Sequence, residues 1–391
     1  VKIMKNVVLR APVLTQSGYG VHSRQIAKWL LSKHDRGEIS LTIQCVPWGD
    51  TSWYVNGDEC DGLIGKMMKI AGPAKARPDV SFQVQLPNEW DPNLAKFNIG
   101  VTAGVETTVC SPGWVDAVDS MNSVIVPTSF TKSVFLKTRN PKTDIHVVQE
   151  TFPNALLDSS PDASIFEFET ERNFLVFGQL TSMQPEEDRK NIVQTLTCLM
   201  NSFKDNEDVG IVLKTNVGRN TILDWKHCQG FVSDVVNKLR KGKGPRLYLL
   251  HGAMPEKDLN ALYRHPTMSG LVSLTRGEGF GLPLLEAAAC GLPVIATGWS
   301  GHTDFLKGDG YMKVGYDLVN VPPSKIDNNI FVNGACWANP KTKSAEKHLQ
   351  ALYKHEKIFK KRARDHQKFI VENFSEEAAF KKYEQVCEGI L

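Results

Sequence analysis

Short apolar runs closed by Gly, Pro, Asn or Asp recur along the chain, and between many of them apolar residues repeat at three and four. The clearest pair is 270–275 (GLVSLT) and 293–297 (PVIAT). Each is rich in Val, Leu and Ile and bounded by turn residues, the pattern of a buried parallel strand. Residues 282–290 between them predict a helix. Pro283 suits its first turn, where no amide donor is needed. Gly291 suits its C-cap, and Pro293 stops any extension. Further strands are predicted at 174–177, 210–213 and 246–250, with helices near 190–203, 230–240 and 256–264. Such regular alternation predicts a doubly wound α/β domain on a parallel sheet. The first part of the chain offers strands at 6–9, 41–46, 80–86, 98–101, 123–126 and 145–148, and helices at 21–31, 66–70 and 114–121. From Ala345 the spacing of Leu349, Leu352, Phe359, Ala363 and Ile370 is helical, and a last helix covers 375–391.

The chain's 391 residues are enough for two domains of ordinary size. The polar, acidic stretch 156–172, with Pro161, reads as a linker between a domain over 1–155 and another over 173–374. Hydrophobic content of 41% with 23% charged residues is that of a soluble globular protein. No run of 18 apolar residues and no signal-like start occur, so no integral membrane association is expected. Eight scattered Cys, with no Cys-x2-Cys pair, suit reduced structural thiols in a cytoplasmic protein. The net charge of +3 neither demands nor excludes a polyanionic partner. Within 341–368, however, ten Lys or Arg face three Asp or Glu. That stretch is either a solvated helix face or a surface for nucleic acid or anionic lipid. The His, Asp and Glu residues show no metal-ligand spacing, and no Asp-x-Asp occurs, so no metal is expected.

The strand–loop–helix unit at 270–290 carries the candidate chemistry. Gly277, Gly279 and Gly281 let backbone approach a ligand closely. The helix behind them offers unpaired N–H groups and a positive dipole end to an anion. Glu286 falls among Leu284, Leu285 and Ala287–Ala289, where a carboxylate needs hydrogen-bond donors. The vicinal hydroxyls of a ribose would supply two. Glu278, at the loop tip, would accept from hydroxyls of a second sugar. A second strand–glycine loop–helix unit lies at the start, with Gly18 and Gly20 in the loop before the helix at 21–31. It lacks a full Gly-x-Gly-x-x-Gly, since Ser23 stands at the last position. The alternative for this unit is a tight turn with no ligand.

The run 273–301, with Glu278-x7-Glu286 followed by Gly291-Leu292-Pro293-Val294-Ile295-Ala296-Thr297, resembles the donor-site signature of the family 4 (group 1) retaining glycosyltransferases of GT-B fold. The resemblance is most specific over 173–304. It implies two Rossmann-like domains facing a central cleft, the last helix returning to complete the N-terminal domain. It implies transfer of a sugar from a nucleotide-diphosphate sugar, UDP- or GDP-linked, to an acceptor hydroxyl with retained configuration. In that pattern Glu286 holds the ribose, Glu278 contacts the transferred sugar, and Gly279, Phe280, Gly281 and Leu282 present backbone to sugar and phosphate. Gly18 and Gly20 correspond to glycines that admit the diphosphate. The family's Gly-Arg and Lys-Gly cations are replaced here: Gln179 follows Gly178, and Arg189 and Lys190 come later, so this pair is expected to bind the diphosphate. Lys214, at a strand end, is a further candidate. Glu106, in a Glu-Thr pair before a Pro-x-Trp helix, is a candidate for the acceptor side or else a helix N-terminal carboxylate.

The Ser17-Gly18-Tyr19-Gly20 and Trp299-Ser300-Gly301-His302 stretches also resemble those of phage-encoded members, which brings a hydroxymethylated base in DNA beside a cell-surface or lipid-linked glycan as acceptor. Two other classes remain open from the residues alone: a non-catalytic sugar-nucleotide-binding protein on the same fold, and a Rossmann oxidoreductase, against which the incomplete first fingerprint counts.

Overall fold

The computed structural model describes residues 4–74, 76–180, 182 and 184–391. The chain forms two compact units. One holds the chain up to Thr151 with Asp327–Val332 and Glu376–Leu391; the other holds Phe152–Ile326 and Asn333–Ser375.

In the first unit β1 (Lys5–Ala11), β2 (Ile39–Cys45), β3 (Val80–Val84), β4 (Phe97–Val101), β5 (Ser123–Val126) and β6 (Ile145–Val147) form one sheet, ordered β2-β1-β3-β4-β5-β6. Every neighbouring pair is parallel. β3 and β5 are buried along their whole length, as strands covered on both faces must be. Helix α1 (Gly18–Asp35) follows β1; its N-cap Ser17 accepts from the Gly20 amide, closing one of the orphan donors of the first turn. Helices α2 (Leu63–Lys69), α3 (Pro112–Ser120) and α4 (Ser129–Thr138) complete the crossovers.

The second unit repeats the architecture. β7 (Arg172–Phe177), β8 (Val209–Thr215), β9 (Arg246–His251), β10 (Met268–Ser273), β11 (Val294–Thr297) and β12 (Met312–Val314) lie in the order β12-β11-β10-β7-β8-β9, all parallel. The connecting helices are α5 (Ile192–Ser202), α6 (Ile222–Leu239), α7 (Glu256–Tyr263) and α8 (Leu282–Ala289). From β7 the chain runs outward to β8 and β9, then returns to the other side of β7 as β10. The direction of winding therefore reverses between β7 and β10. In open α/β sheets a ligand crevice lies beyond the carboxyl ends of the strands at such a reversal. An antiparallel pair, β13 (Tyr316–Asn320) and β14 (Cys336–Pro340), precedes α9 (Thr342–Lys354) and α10 (Glu356–Phe374).

Several details depart from the sequence pattern. α4 has no counterpart in it, and α6 starts at Ile222 rather than near residue 230. Its first turn exposes Ile222, Leu223 and Trp225 to solvent, so apolarity and burial part company there. Within 156–172, Leu156 is buried and Phe168 lies edge-on to Tyr248 and His265. Finally the chain returns to the first unit in α11 (Glu376–Val386), where Tyr383 stacks on Trp29 with ring centroids 5.0 Å apart. The Trp29 indole N–H donates to Glu384 at 2.8 Å, and Lys5 Nζ donates to the Ile390 carbonyl at 2.7 Å.

Candidate functional site

Two segments meet at the reversal of the second sheet: 184–191, between β7 and α5, and 274–281 after β10. Their meeting is built from backbone and buried side chains. The Arg276 amide donates to the Arg189 carbonyl at 2.8 Å, and the Asn191 side-chain amide donates to the Leu274 carbonyl at 2.8 Å. Asn191 caps α5 in the left-handed region (φ 56°). Asp188, fully buried, accepts from the Ile192 and Lys190 amides. These bonds fix where Arg189 and Lys190 emerge.

The 274–281 loop is held from below by 297–302. Ser300 Oγ accepts from the Glu278 amide at 2.8 Å, and the Gly301 amide donates to the Glu278 carbonyl at 2.9 Å. A Cβ on Gly301 would lie 2.1 Å from the Gly279 carbonyl oxygen, so only glycine lets the two segments close. His302, wholly buried, donates from Nε2 to the Thr297 carbonyl at 2.6 Å; burial lowers its pKa. At the loop's end Gly281 (φ 102°) turns the chain into α8. The Phe280 side chain enters the core against Phe305, so Phe280 can offer a ligand only its backbone.

Glu278 does not stand alone at the loop tip. Lys190 Nζ donates to both its oxygens, at 2.8 and 2.7 Å, and the Arg189 guanidinium lies 3.8 Å away while donating to the Gly277 carbonyl at 2.8 Å. Burial alone would raise the Glu278 pKa, but the Lys190 and Arg189 charges outweigh it and hold the group below its ordinary value. The two half-buried cations and the buried first carboxylate thus form one cluster. Gln179, which follows Gly178 at the end of β7, is exposed.

Glu286 lies on α8, only 7% exposed. Its Oε2 accepts from the Tyr263 hydroxyl at 2.8 Å. Burial pushes its carboxyl up to about 7; the Tyr263 bond and the Lys214 charge act in the opposite sense. Lys214, at the end of β8, is buried too: Nζ donates to the Gly252 carbonyl at 2.5 Å and sits over the Phe177 ring. Burial lowers its pKa to about 8, partly offset by Glu286. Neither the Tyr263–Glu286 bond nor the support from Ser300 and His302 was legible in spacing, because each joins residues of different elements that only the fold brings together.

The second unit therefore gathers Arg189, Lys190, Lys214, Glu278, Gly279, Phe280, Gly281, Leu282 and Glu286 at one edge of its sheet. Gly18, Gly20 and Glu106 belong to the first unit. There a Cβ on Gly20 would lie 2.1 Å from the Thr15 carbonyl oxygen, so the turn itself demands that glycine. Between the two glycines the Tyr19 hydroxyl pairs with that of Thr102 at 2.9 Å and accepts from the Ala103 amide. Burial raises the Tyr19 pKa, and the Glu106 charge adds to this, so Glu106 and the glycine loop share a neighbourhood at the carboxyl ends of β1 and β4. Glu106 lies in a bend before α3, not at the helix terminus. Among the described residues no group of three or more His, Cys, Asp or Glu is placed to hold a metal, and no helix is long and apolar enough to cross a membrane.

Residues 246–368, which carry β9 through most of α10, match the model of the family described as glycosyl transferases group 1. No curated protein matches the chain. Solved structures similar to it include a glycosyltransferase from Rickettsia africae (13% identity, 99% of each chain covered, TM-score 0.67). Sucrose-phosphate synthase from Thermosynechococcus elongatus is another, at 12% identity, 99% of each chain and a TM-score of 0.65. A third is the HepE protein of Anabaena in complex with UDP-glucose, at 12% identity, 98% of this chain, all of that one, and a TM-score of 0.63. At such identities the likeness is one of fold. The chain has the GT-B fold, two Rossmann-like α/β domains each built on a six-stranded parallel sheet.

Proposed function

We propose that this chain transfers a sugar from a nucleotide-diphosphate sugar to an acceptor hydroxyl, with retention of anomeric configuration and without a metal. The observation that carries the reading is the cluster at the winding reversal: Lys190 and Arg189 held beside Glu278, under a glycine loop that leads into α8. Breaking the bond between the anomeric carbon and the diphosphate leaves negative charge on the departing phosphate. Cations fixed before the reaction stabilise that charge without reorganising. In the donor complex Lys190 and Arg189 exchange part of their interaction with Glu278 for the diphosphate, and the freed Glu278 oxygens accept from hydroxyls of the sugar. Glu286 accepts from the ribose. In the front-face route usual for the resembling family, the leaving phosphate takes the acceptor's proton. The match of 246–368 to group 1 glycosyltransferases supports the same reading.

For the acceptor, the reading put forward is a polar polymer, hydroxymethylated DNA, with a cell-surface or lipid-linked glycan as the other outcome. What favours a polyanion is the basic stretch 341–368, whose Lys343, Lys347, Lys357, Lys361, Arg362, Arg364 and Lys368 are all exposed on α9 and α10. The test is a thermal-shift screen of UDP- and GDP-sugars, then mass spectrometry of DNA and glycan acceptors incubated with the donor found, with and without EDTA. Sugar on hydroxymethylated DNA in both conditions is the expected result. Turnover abolished by EDTA and restored by Mg²⁺ or Mn²⁺ overturns metal independence. The absence of any donor shift overturns the transferase reading.

A further inference from the structure

Glu286 has an asymmetric environment. Its neighbours in sequence are Leu284, Leu285 and Ala287–Ala289, all buried. Tyr263, the last residue of α7 and 1% exposed, supplies the one hydrogen bond to its side chain among the described residues, and that bond goes to Oε2 alone. The Tyr263 ring is itself fixed, stacked on Phe177 with an interplanar angle of 13°. A buried hydroxyl in contact with a carboxylate does not ionise: burial first, then the Glu286 charge, push the Tyr263 pKa well above its ordinary value. Tyr263 is therefore a permanent donor, and an ionised carboxylate can only accept.

We propose that Tyr263 is a positioning residue of the donor site: its hydroxyl pins Oε2 of Glu286, turns Oε1 toward the ribose hydroxyls and keeps the carboxylate in its accepting form. This rests on the donor-site reading above and adds to it a residue that touches no substrate. The groups facing Glu286 come from three elements: Tyr263 and Glu256 from α7, Lys214 from β8 and Cys290 from the end of α8. Burial and the Glu256 charge favour the protonated form, whereas the Tyr263 bond and Lys214 favour the ionised one. A protonated Glu286 loses the charge and part of the accepting capacity that the two ribose hydroxyls use, so donor binding follows the ionised fraction. Without the Tyr263 bond the folded pKa of about 7 climbs further, and the ionised fraction at neutral pH falls.

The experiment is calorimetric titration of wild type and Tyr263→Phe with UDP-glucose and GDP-mannose from pH 5.5 to 8.5, alongside their unfolding temperatures. The ring stays in place in the variant, so packing against Phe177 is retained. The expected result is wild-type affinity that weakens as pH falls through about 7, and in Tyr263→Phe a midpoint about one pH unit higher, which makes affinity at neutrality roughly fivefold weaker and approaches a tenfold loss only at the acid end of the range. In a Glu286→Gln background, where the carboxyl is absent, Tyr263→Phe should leave the pH profile unmoved. An unshifted midpoint in Tyr263→Phe overturns the proposal, as does a loss of equal size at every pH, the signature of packing alone. If wild type binds neither sugar nucleotide, the donor-site reading falls and this inference with it, a result distinct from binding that ignores Tyr263.

Discussion

Two carboxylates eight residues apart occupy opposite electrostatic situations. Glu286 is buried among apolar side chains and its carboxyl is pushed up to about 7; Glu278 is as deeply buried, yet two cations hold its pKa down. Their substitutions should therefore fail differently. Glu286→Ala removes the proposed acceptor of the ribose hydroxyls. Hydrogen bonds to a charged group are worth about 1.5–3 kcal/mol, so donor affinity by calorimetry should fall by about 10- to 150-fold while the unfolding temperature stays near wild type. Unchanged affinity rejects the ribose role. Lys190→Ala leaves Glu278 in a buried position with only the more distant Arg189 charge. Removing one partner of a buried pair typically costs about 3–5 kcal/mol, so both stability and turnover should drop. Turnover should fall by on the order of 10²–10³, the usual loss for one preorganised electrostatic group. Adding Glu278→Gln should restore stability and leave turnover low. The sign with pH follows from the lowered Glu278 pKa: the pair's contribution is present above the ordinary carboxylate range and is lost as pH falls through the folded value. A Lys190→Ala protein as stable as wild type at pH 7 contradicts this account.

At the level of elements, the site depends on one loop resting on another. The 274–281 loop sits on Ser300 and Gly301 so closely that a single methyl at Gly301 meets the Gly279 carbonyl. Gly301→Ala should lift the loop, abolish measurable donor binding and leave the far-ultraviolet circular dichroism of the folded sheet intact; retained binding excludes the loop contact as a requirement. The strand–loop–helix unit itself was legible in sequence, because β10 and β11 are buried runs and α8 is bounded by Pro283 and Gly291. Glu278 and Glu286 were legible by their place in it. α4 was not, because Ser129, Thr131, Lys132 and Ser133 read as a polar turn and few of its residues, Thr131, Val134 and Phe135, are buried. The short β12 and the β13–β14 pair were too brief or too polar for a periodicity to show. The pairing of Lys190 with Glu278 joins residues 88 positions apart, and Tyr263 with Glu286 residues 23 apart, so neither could be read from local spacing.

For the molecule as a whole, each unit has its own apolar core, but the first draws on three stretches of chain. Trp29 and Tyr383 are both almost wholly buried where α11 lies on α1, and Ile330 and Phe331 pack on the cluster around Trp90 and Trp114. Burying one large side chain is worth about 1.5–3 kcal/mol, a sizeable part of a domain's net stability. Deleting 376–391 should therefore give a first unit that unfolds tens of degrees earlier in calorimetry, while the second unit keeps its own transition and the thermal shift of the donor. Loss of both transitions together would show that the second core also depends on that helix. The return of α11 carries a price in time during synthesis. Residues up to Thr151 leave the ribosome first, but the helix that covers Trp29 is made only after the entire second unit. At about 5–20 residues per second, the 224 positions from Phe152 to Ser375 take roughly 10–45 s. Throughout that interval the nascent first unit lacks the helix that covers Trp29, so its α1 face carries an aromatic surface with nothing yet laid on it.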